Sequence, residues 1–189
     1  MKTIKITFLA LALSGYAATA QDTKTDKHTL EIKIPEVAIL DIESTGESNA
    51  ISLEATAPTE AGNALDFSKA LNTDLWINYS SIVGKKSDPT REVTVQVTSG
   101  TIPSGIEILV AAAKDAGQGE GKVGSPVDEL ILSTAPQKII TEVGSAYTGN
   151  GPKRGHNLTY KLQQKKDAYG EIDFDQSGSL TVVYTLSDK

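Results

Sequence analysis

The sequence predicts an all-β fold, an antiparallel immunoglobulin-like β-sandwich of about eight to ten strands. Apolar residues recur mostly at every second position, and the runs that show this alternation are rich in Val, Ile, Thr and Tyr. Turn-forming Gly, Pro, Asn and Asp return about every 8–12 residues. No internal repeat and no linker rich in proline or glycine divides the chain. We therefore expect one domain over residues 21–189.

The first predicted strand, residues 28–34, shows the clearest alternation. Leu30, Ile32 and Ile34 share one face, whereas Glu31 and Lys33 share the other. Proline at position 35 then breaks the ladder because it has no amide donor. Alternation and turn signals place the remaining predicted strands at 37–42, 51–55, 74–79, 92–98, 106–112, 129–132, 138–143, 157–162 and 179–186.

Residues 28–34 have two interpretations. The segment is either the first strand of the domain itself, as most edge strands are, or a strand that adds to the open edge of a neighbouring molecule. The second interpretation makes Leu30, Ile32 and Ile34 candidates for strand exchange between copies of the chain.

The first twenty residues predict an export signal peptide. Lys2 and Lys5 precede an apolar run over 6–13, and small residues at 17–20 supply a processing site before Gln21. The run is shorter than the roughly 20 residues that a membrane-spanning helix needs, and no later segment is apolar enough to span a bilayer. We therefore expect export to the cell surface, the extracellular space or the periplasm.

Charge and cysteine content exclude several functions. Removing Lys2 and Lys5 with the leader would leave 16 basic and 24 acidic residues, a net charge of −8. Such an acidic chain repels phosphate backbones, so nucleic acid is not an expected partner. The chain has no cysteine, which excludes disulfides, thiolate metal sites and cysteine nucleophiles.

No pattern in the chain predicts an enzyme. The two histidines, His28 and His156, have neither a metal-ligand spacing nor a GxSxG elbow near them, and we expect both to be ordinary surface residues. Asp173, Asp175 and Ser177 resemble the start of a calcium loop, but the twelfth position, which needs a bidentate carboxylate, holds Tyr184. We expect no cofactor, with calcium as the alternative and a locally hydrogen-bonded turn as the simpler interpretation.

The segment around Trp76, the single tryptophan, is the candidate binding surface. In a strand, Trp76 and Asn78 share one face, while Leu75, Ile77 and Tyr79 share the other, which is the better candidate for the core. Trp76 is then either an exposed aromatic suited to stacking on a sugar ring or a side chain packed under a loop. Trp76, Asn78 and Tyr79 are the candidate binding residues.

Four segments carry a resemblance to known proteins: the predicted signal peptide, residues 29–42, the strand around Trp76 at 75–79, and the closing strand at 178–186. They are similar to small secreted β-sandwich proteins of Bacteroidota and, more distantly, to WxL-type and spore-coat-U-type fimbrial surface domains. The resemblance implies a surface protein that adheres or polymerises. We therefore expect a non-enzymatic structural or adhesive subunit whose partners are other copies of itself, surface proteins or glycans. The alternative is a soluble carbohydrate- or ligand-binding module.

Overall fold

The computed structural model describes residues 24–189, so the predicted leader and its processing site lie outside the described residues. Residues 24–33 are extended, without strand or helix, and residues 34–189 form a separate compact body. The body contains ten strands: β1 Val37–Ser44, β2 Leu71–Asn72, β3 Leu75–Ile82, β4 Arg91–Ser99, β5 Ile106–Ala112, β6 Glu120–Pro126, β7 Leu130–Ile131, β8 Gln137–Tyr147, β9 His156–Gln164 and β10 Thr181–Asp188.

Antiparallel hydrogen bonding links all ten strands. The main path runs β10-β4-β8-β3-β9-β5-β7, with β1 added to β3, β6 to β8 and β2 to β9. Strand β3 changes partner along its length, because Ser80 and Ser81 pair with β8 whereas Trp76 and Ile77 pair with β9. The predicted all-β antiparallel fold is confirmed.

The sheet folds back on itself in a sandwich-like manner. Strands β10 and β9 are four steps apart on the hydrogen-bonded path, which in a flat sheet would separate them by about 19 Å. Yet the hydroxyl oxygens of Tyr160 on β9 and Tyr184 on β10 are 2.5 Å apart. The space between the two layers is filled by one apolar cluster from five strands, including Val95 on β4, Val110 on β5 and Leu158 on β9.

The predicted strand over 28–34 is not formed. Strand β1 begins at Val37, which faces Ile82, the last residue of β3. Continued at that register, Ile34 would face Lys85, which lies in the turn after β3. The first strand of the sheet therefore starts where its partner ends, and the preceding residues find no ladder there.

Two other sequence predictions require correction. Residues 51–55 form no strand, although Ile51 and Leu53 still pack against the core. No strand was predicted between residues 112 and 129, yet this glycine-rich stretch contains β6, which pairs with β8. Gly121 has φ +94° there, and a Cβ on it would lie 2.2 Å from the carbonyl oxygen of Ser145. Strand β6 thus lacks apolar alternation because close approach to β8 requires glycine.

Helical structure within residues 24–189 is limited to two three-residue 3-10 turns, Tyr169–Glu171 and Phe174–Gln176. None of the helical segments in this part of the chain meets the length and apolarity of a membrane span.

Candidate functional site

The extended segment before β1 presents the predicted apolar row to solvent. Leu30, Ile32 and Ile34 are 73%, 76% and 78% exposed. On the alternate positions, the side chains of Glu31 and Lys33 form an exposed ion pair of 3.1 Å. Exposed large aliphatic residues are common singly, but three at alternate positions form an apolar stripe that matches one face of a strand.

The body holds its first strand firmly through Arg91. This side chain is 1% exposed, donates from Nη1 to the Val37 carbonyl oxygen at 2.5 Å, and also donates from Nη2 to Glu36. Its Nε donates to Asp188, near the end of β10, at 2.8 Å. Hydrogen bonds from this buried side chain therefore reach residues 36 and 37, which follow the apolar stripe closely.

An apolar groove opens at one end of the body and encloses about 510 Å³. Its walls come from β5, β9, β10 and the segments 51–55 and 172–180. Most lining side chains are aliphatic: Ile51, Leu53, Leu65, Ile106, Ile108, Leu132, Leu162, Ile172, Leu180 and Val182. Its volume and apolar character are typical of binding sites, which enclose about 300–1,000 Å³.

Two aromatic side chains, Tyr160 and Phe174, line this apolar groove. The Tyr160 side chain lines it and hydrogen-bonds Tyr184 on the facing layer. Burial raises the pKa of Tyr160 to about 12 and that of Tyr184 well above its ordinary value, so both phenols are neutral at physiological pH. Phe174 is 85% exposed and also lines the groove. An aromatic ring so exposed provides apolar contact area for an occupant.

Strand β10, which contributes Val182 to the groove, pairs with β4 on one side. Among residues 24–189, no strand pairs with its other side. An unpaired strand edge presents backbone N–H and C=O groups that another extended chain can bind. The groove therefore combines apolar walls with an open strand edge.

The three candidate binding residues around Trp76 do not form one surface. Tyr79 faces the core with Leu75 and Ile77, as the alternation predicts, and is 4% exposed. Asn78, on the opposite face, is also 4% exposed, and its amide nitrogen donates to the Arg154 carbonyl at 2.8 Å. Trp76 is half-buried, and its indole Nε1 is buried without a hydrogen-bond partner.

His156 corrects the expectation of a surface histidine, since it is fully buried at the start of β9. Its Nδ1 lies 2.9 Å from the Ala113 carbonyl oxygen, and its Nε2 lies 2.8 Å from the Tyr79 hydroxyl. The two rings are stacked with centroids 5.6 Å apart. Strand periodicity could have predicted this burial. If the strand predicted at 157–162 is extended by one residue at its start, His156 shares a face with Leu158 and Tyr160. His28, by contrast, is exposed as expected.

The suggested calcium motif forms a local turn. Asp173 Oδ1 accepts from the Asp175 backbone N at 3.0 Å, and the Ser177 backbone N donates to Phe174. The turn is thus locally hydrogen-bonded, in line with the simpler interpretation, and Asp173 caps it. Within the described chain, no three His, Cys, Asp or Glu side chains group closely enough to hold a metal ion.

Comparison with known proteins supplies no relative, since no family model, curated protein or solved structure matches the chain. The geometry of the apolar stripe, the apolar groove and the buried residues is therefore the basis for function.

Proposed function

We propose that the protein is a non-enzymatic exported subunit with a structural or adhesive role at the cell surface or in the periplasm, and that it self-associates by donating residues 28–34 as a strand. The observation that carries this proposal is the exposure of Leu30, Ile32 and Ile34, each more than 70% accessible, a few residues before β1 begins at Val37.

The energetics favour burial of this stripe in a partner. Full burial of an aliphatic side chain contributes about 1.5–3 kcal/mol, and three such side chains supply enough to offset part of the cost of ordering and association. A strand also carries backbone donors and acceptors that pair along an open sheet edge. Apolar contact and strand addition therefore act together in the same segment.

The sequence supports the exported location. The basic and apolar leader with its small-residue processing site is typical of secretion. Because the chain contains no cysteine, its stability does not depend on oxidative conditions, and assembly through non-covalent strand addition is compatible with the surface or the periplasm.

Light scattering after size exclusion tests the proposal. The full chain is expressed in a bacterial host, purified after export and measured over a wide concentration range, beside a variant with Leu30, Ile32 and Ile34 all changed to Ser. The matched control changes Thr29, Glu31 and Lys33 to Ser, on the opposite face of the segment. We expect concentration-dependent oligomers in the parent and the control, and monomers in the variant without the stripe.

A monodisperse parent at all concentrations would refute self-association. Oligomers that persist without the apolar stripe would show that another surface assembles the protein. Circular dichroism and thermal melting of all three proteins establish that the body is folded in each.

A second candidate function, ligand binding at Trp76, is favoured by the half-buried state of this side chain, because the exposed part of an indole ring can stack on a sugar ring. Titration of glycans with detection by the fluorescence of Trp76, the single tryptophan, tests this function. A saturable shift in the parent, together with loss of glycan binding by isothermal titration calorimetry in Trp76→Phe, would support it, and constant emission across the glycans would count against it.

A further inference from the structure

We propose that the acceptor for the donated strand is the apolar groove beside β10, and that its occupant is residues 28–34 of a second copy of this chain. This inference rests on the proposed function and specifies the surface that receives the segment. Within a single chain the stripe is exposed, so it is available to another molecule.

The apolar character of the two surfaces agrees. In an extended strand, alternate side chains lie about 6.6 Å apart, so Leu30, Ile32 and Ile34 span about 13 Å. The groove offers aliphatic walls on both layers, with Ile106 and Leu162 on one and Val182 on the other, around a space of about 510 Å³. Three aliphatic side chains in a row would therefore meet an apolar lining in this groove.

The backbone of the segment also finds partners there. Val182 belongs to β10, whose second edge carries no strand among residues 24–189. A segment laid along this edge would extend the sheet while its apolar face points between the layers. Proline at position 35 limits the added ladder to the residues before it, because it has no amide donor.

Electrostatics favours this occupant over an acidic peptide. The charged side chains that line the groove, Glu54 and Asp173, are both acidic. Residues 28–34 carry one base, Lys33, and one acid, Glu31, so the segment is neutral at physiological pH. It therefore avoids the repulsion that an acidic peptide would meet at this lining.

Cysteine cross-linking between copies tests the inference directly, because the chain has no cysteine of its own. Full-chain protein with Ile32→Cys is mixed with protein carrying Leu162→Cys in the groove, and the mixture is oxidised mildly. The control acceptor is Ile131→Cys, which places an exposed thiol on β7 outside the groove. The control donor is Lys33→Cys, on the opposite face of the segment.

We expect the Ile32–Leu162 heterodimer to exceed both control pairs by at least about tenfold, because docking raises the local thiol concentration far above that in bulk solution. Peptide mapping by mass spectrometry identifies the linked residues. Phe174→Ala, which removes the exposed ring at the groove, is expected to reduce this cross-link while leaving the circular dichroism spectrum unchanged.

The alternative outcomes separate the two proposals. Oligomers that depend on the stripe but cross-link equally to Ile131 and Leu162 would overturn the groove as acceptor and leave self-association standing. A monomeric parent would overturn self-association and this inference together. A double variant, Ile32→Cys with Leu162→Cys, distinguishes a second copy from the chain's own segment. A cross-link that forms within one molecule at high dilution, with no intermolecular product, would show that the groove binds residues 28–34 of the same chain. A co-purifying lipid in the groove that blocks the cross-link would identify an apolar ligand as the occupant.

Discussion

Replacement of Arg91 by Met is expected to be one of the most destabilising single changes away from the apolar core. The Arg91 side chain is 1% exposed, whereas its ionic partners Glu36 and Asp188 are 69% and 53% exposed. These two carboxylates return to water when Arg91 is removed, so the loss of the two ion pairs alone costs little stability. The larger cost comes from the neutral acceptors that Arg91 satisfies inside the body.

Three such acceptors lose their donor in Arg91→Met: the carbonyls of Val37 and Ile82 and the hydroxyl of the fully buried Ser81. An unsatisfied buried group costs about 1–3 kcal/mol. The bonds to the two carbonyls are only partly buried, and relief of the buried guanidinium offsets part of the sum. We expect a net loss of about 2–4 kcal/mol, or a fall in Tm of about 5–15 °C for a body of this size.

Urea and thermal unfolding followed by circular dichroism measure this loss. Arg91→Lys keeps the charge but not the planar fork, so an intermediate loss is expected. The matched control, Lys161→Met, breaks the surface pair with Glu129, whose two side chains are 48% and 33% exposed, and should cost no more than about 1 kcal/mol. If Arg91→Met is as stable as the parent, desolvation of the guanidinium outweighs its hydrogen bonds and the reasoning fails.

Two further predictions concern the phenol pair and a tight turn. Burial raises the pKa of Tyr160 to about 12 from an ordinary value of 10.0. Between these values the folded state retains a proton that the unfolded state loses. The urea midpoint of unfolding should therefore fall as pH rises from about 10 to 12. Tyr160→Phe should flatten this fall, and an equal slope in both proteins would contradict the assignment. Gly155→Ala should destabilise strongly, since φ is +66° and the new Cβ would lie 2.1 Å from the Ile77 carbonyl oxygen. Gly151 has φ +103° and open space around it, so Gly151→Ala should lose only the stability that backbone strain costs in the same unfolding assay. Equal losses of stability in the two variants would exclude the steric explanation for Gly155.

Period-two alternation predicted the strands wherever one face is covered by the core. The segment 106–112 was predicted with the bounds of β5, and the core positions Leu75, Ile77 and Tyr79 were predicted from the face they share. Alternation alone did not identify which edges are paired. Residues 28–34 alternate more clearly than β5 does, yet the sheet begins at Val37 because its partner ends at Ile82.

The apolar groove was not predictable in the same way. Its lining comes from segments as far apart as Leu53, Ile106 and Val182, and only folding brings these residues together. The burial of Arg91 and His156 was not predicted either, because both residues lie at the ends of strands, where sequence analysis favours exposed residues. Each is buried because it bonds backbone carbonyls that strand pairing leaves unused.

The buried polar residues of β3 lie where that strand passes from one partner to another. Its pairing with β8 ends at Ser80 and its pairing with β9 begins at Ile77, so residues 78 and 79 lie between the two partners. Thr148 fills this position, accepting from the Tyr79 backbone N through Oγ1 at 3.0 Å and donating its own backbone N to the Tyr79 carbonyl at 3.1 Å. Asn78 binds the loop that covers its face. These side chains replace a missing strand partner. This explains why a polar residue, Asn78, is buried on the face that alternation assigns to solvent. It also favours a structural role for Asn78 and Tyr79 over ligand contact.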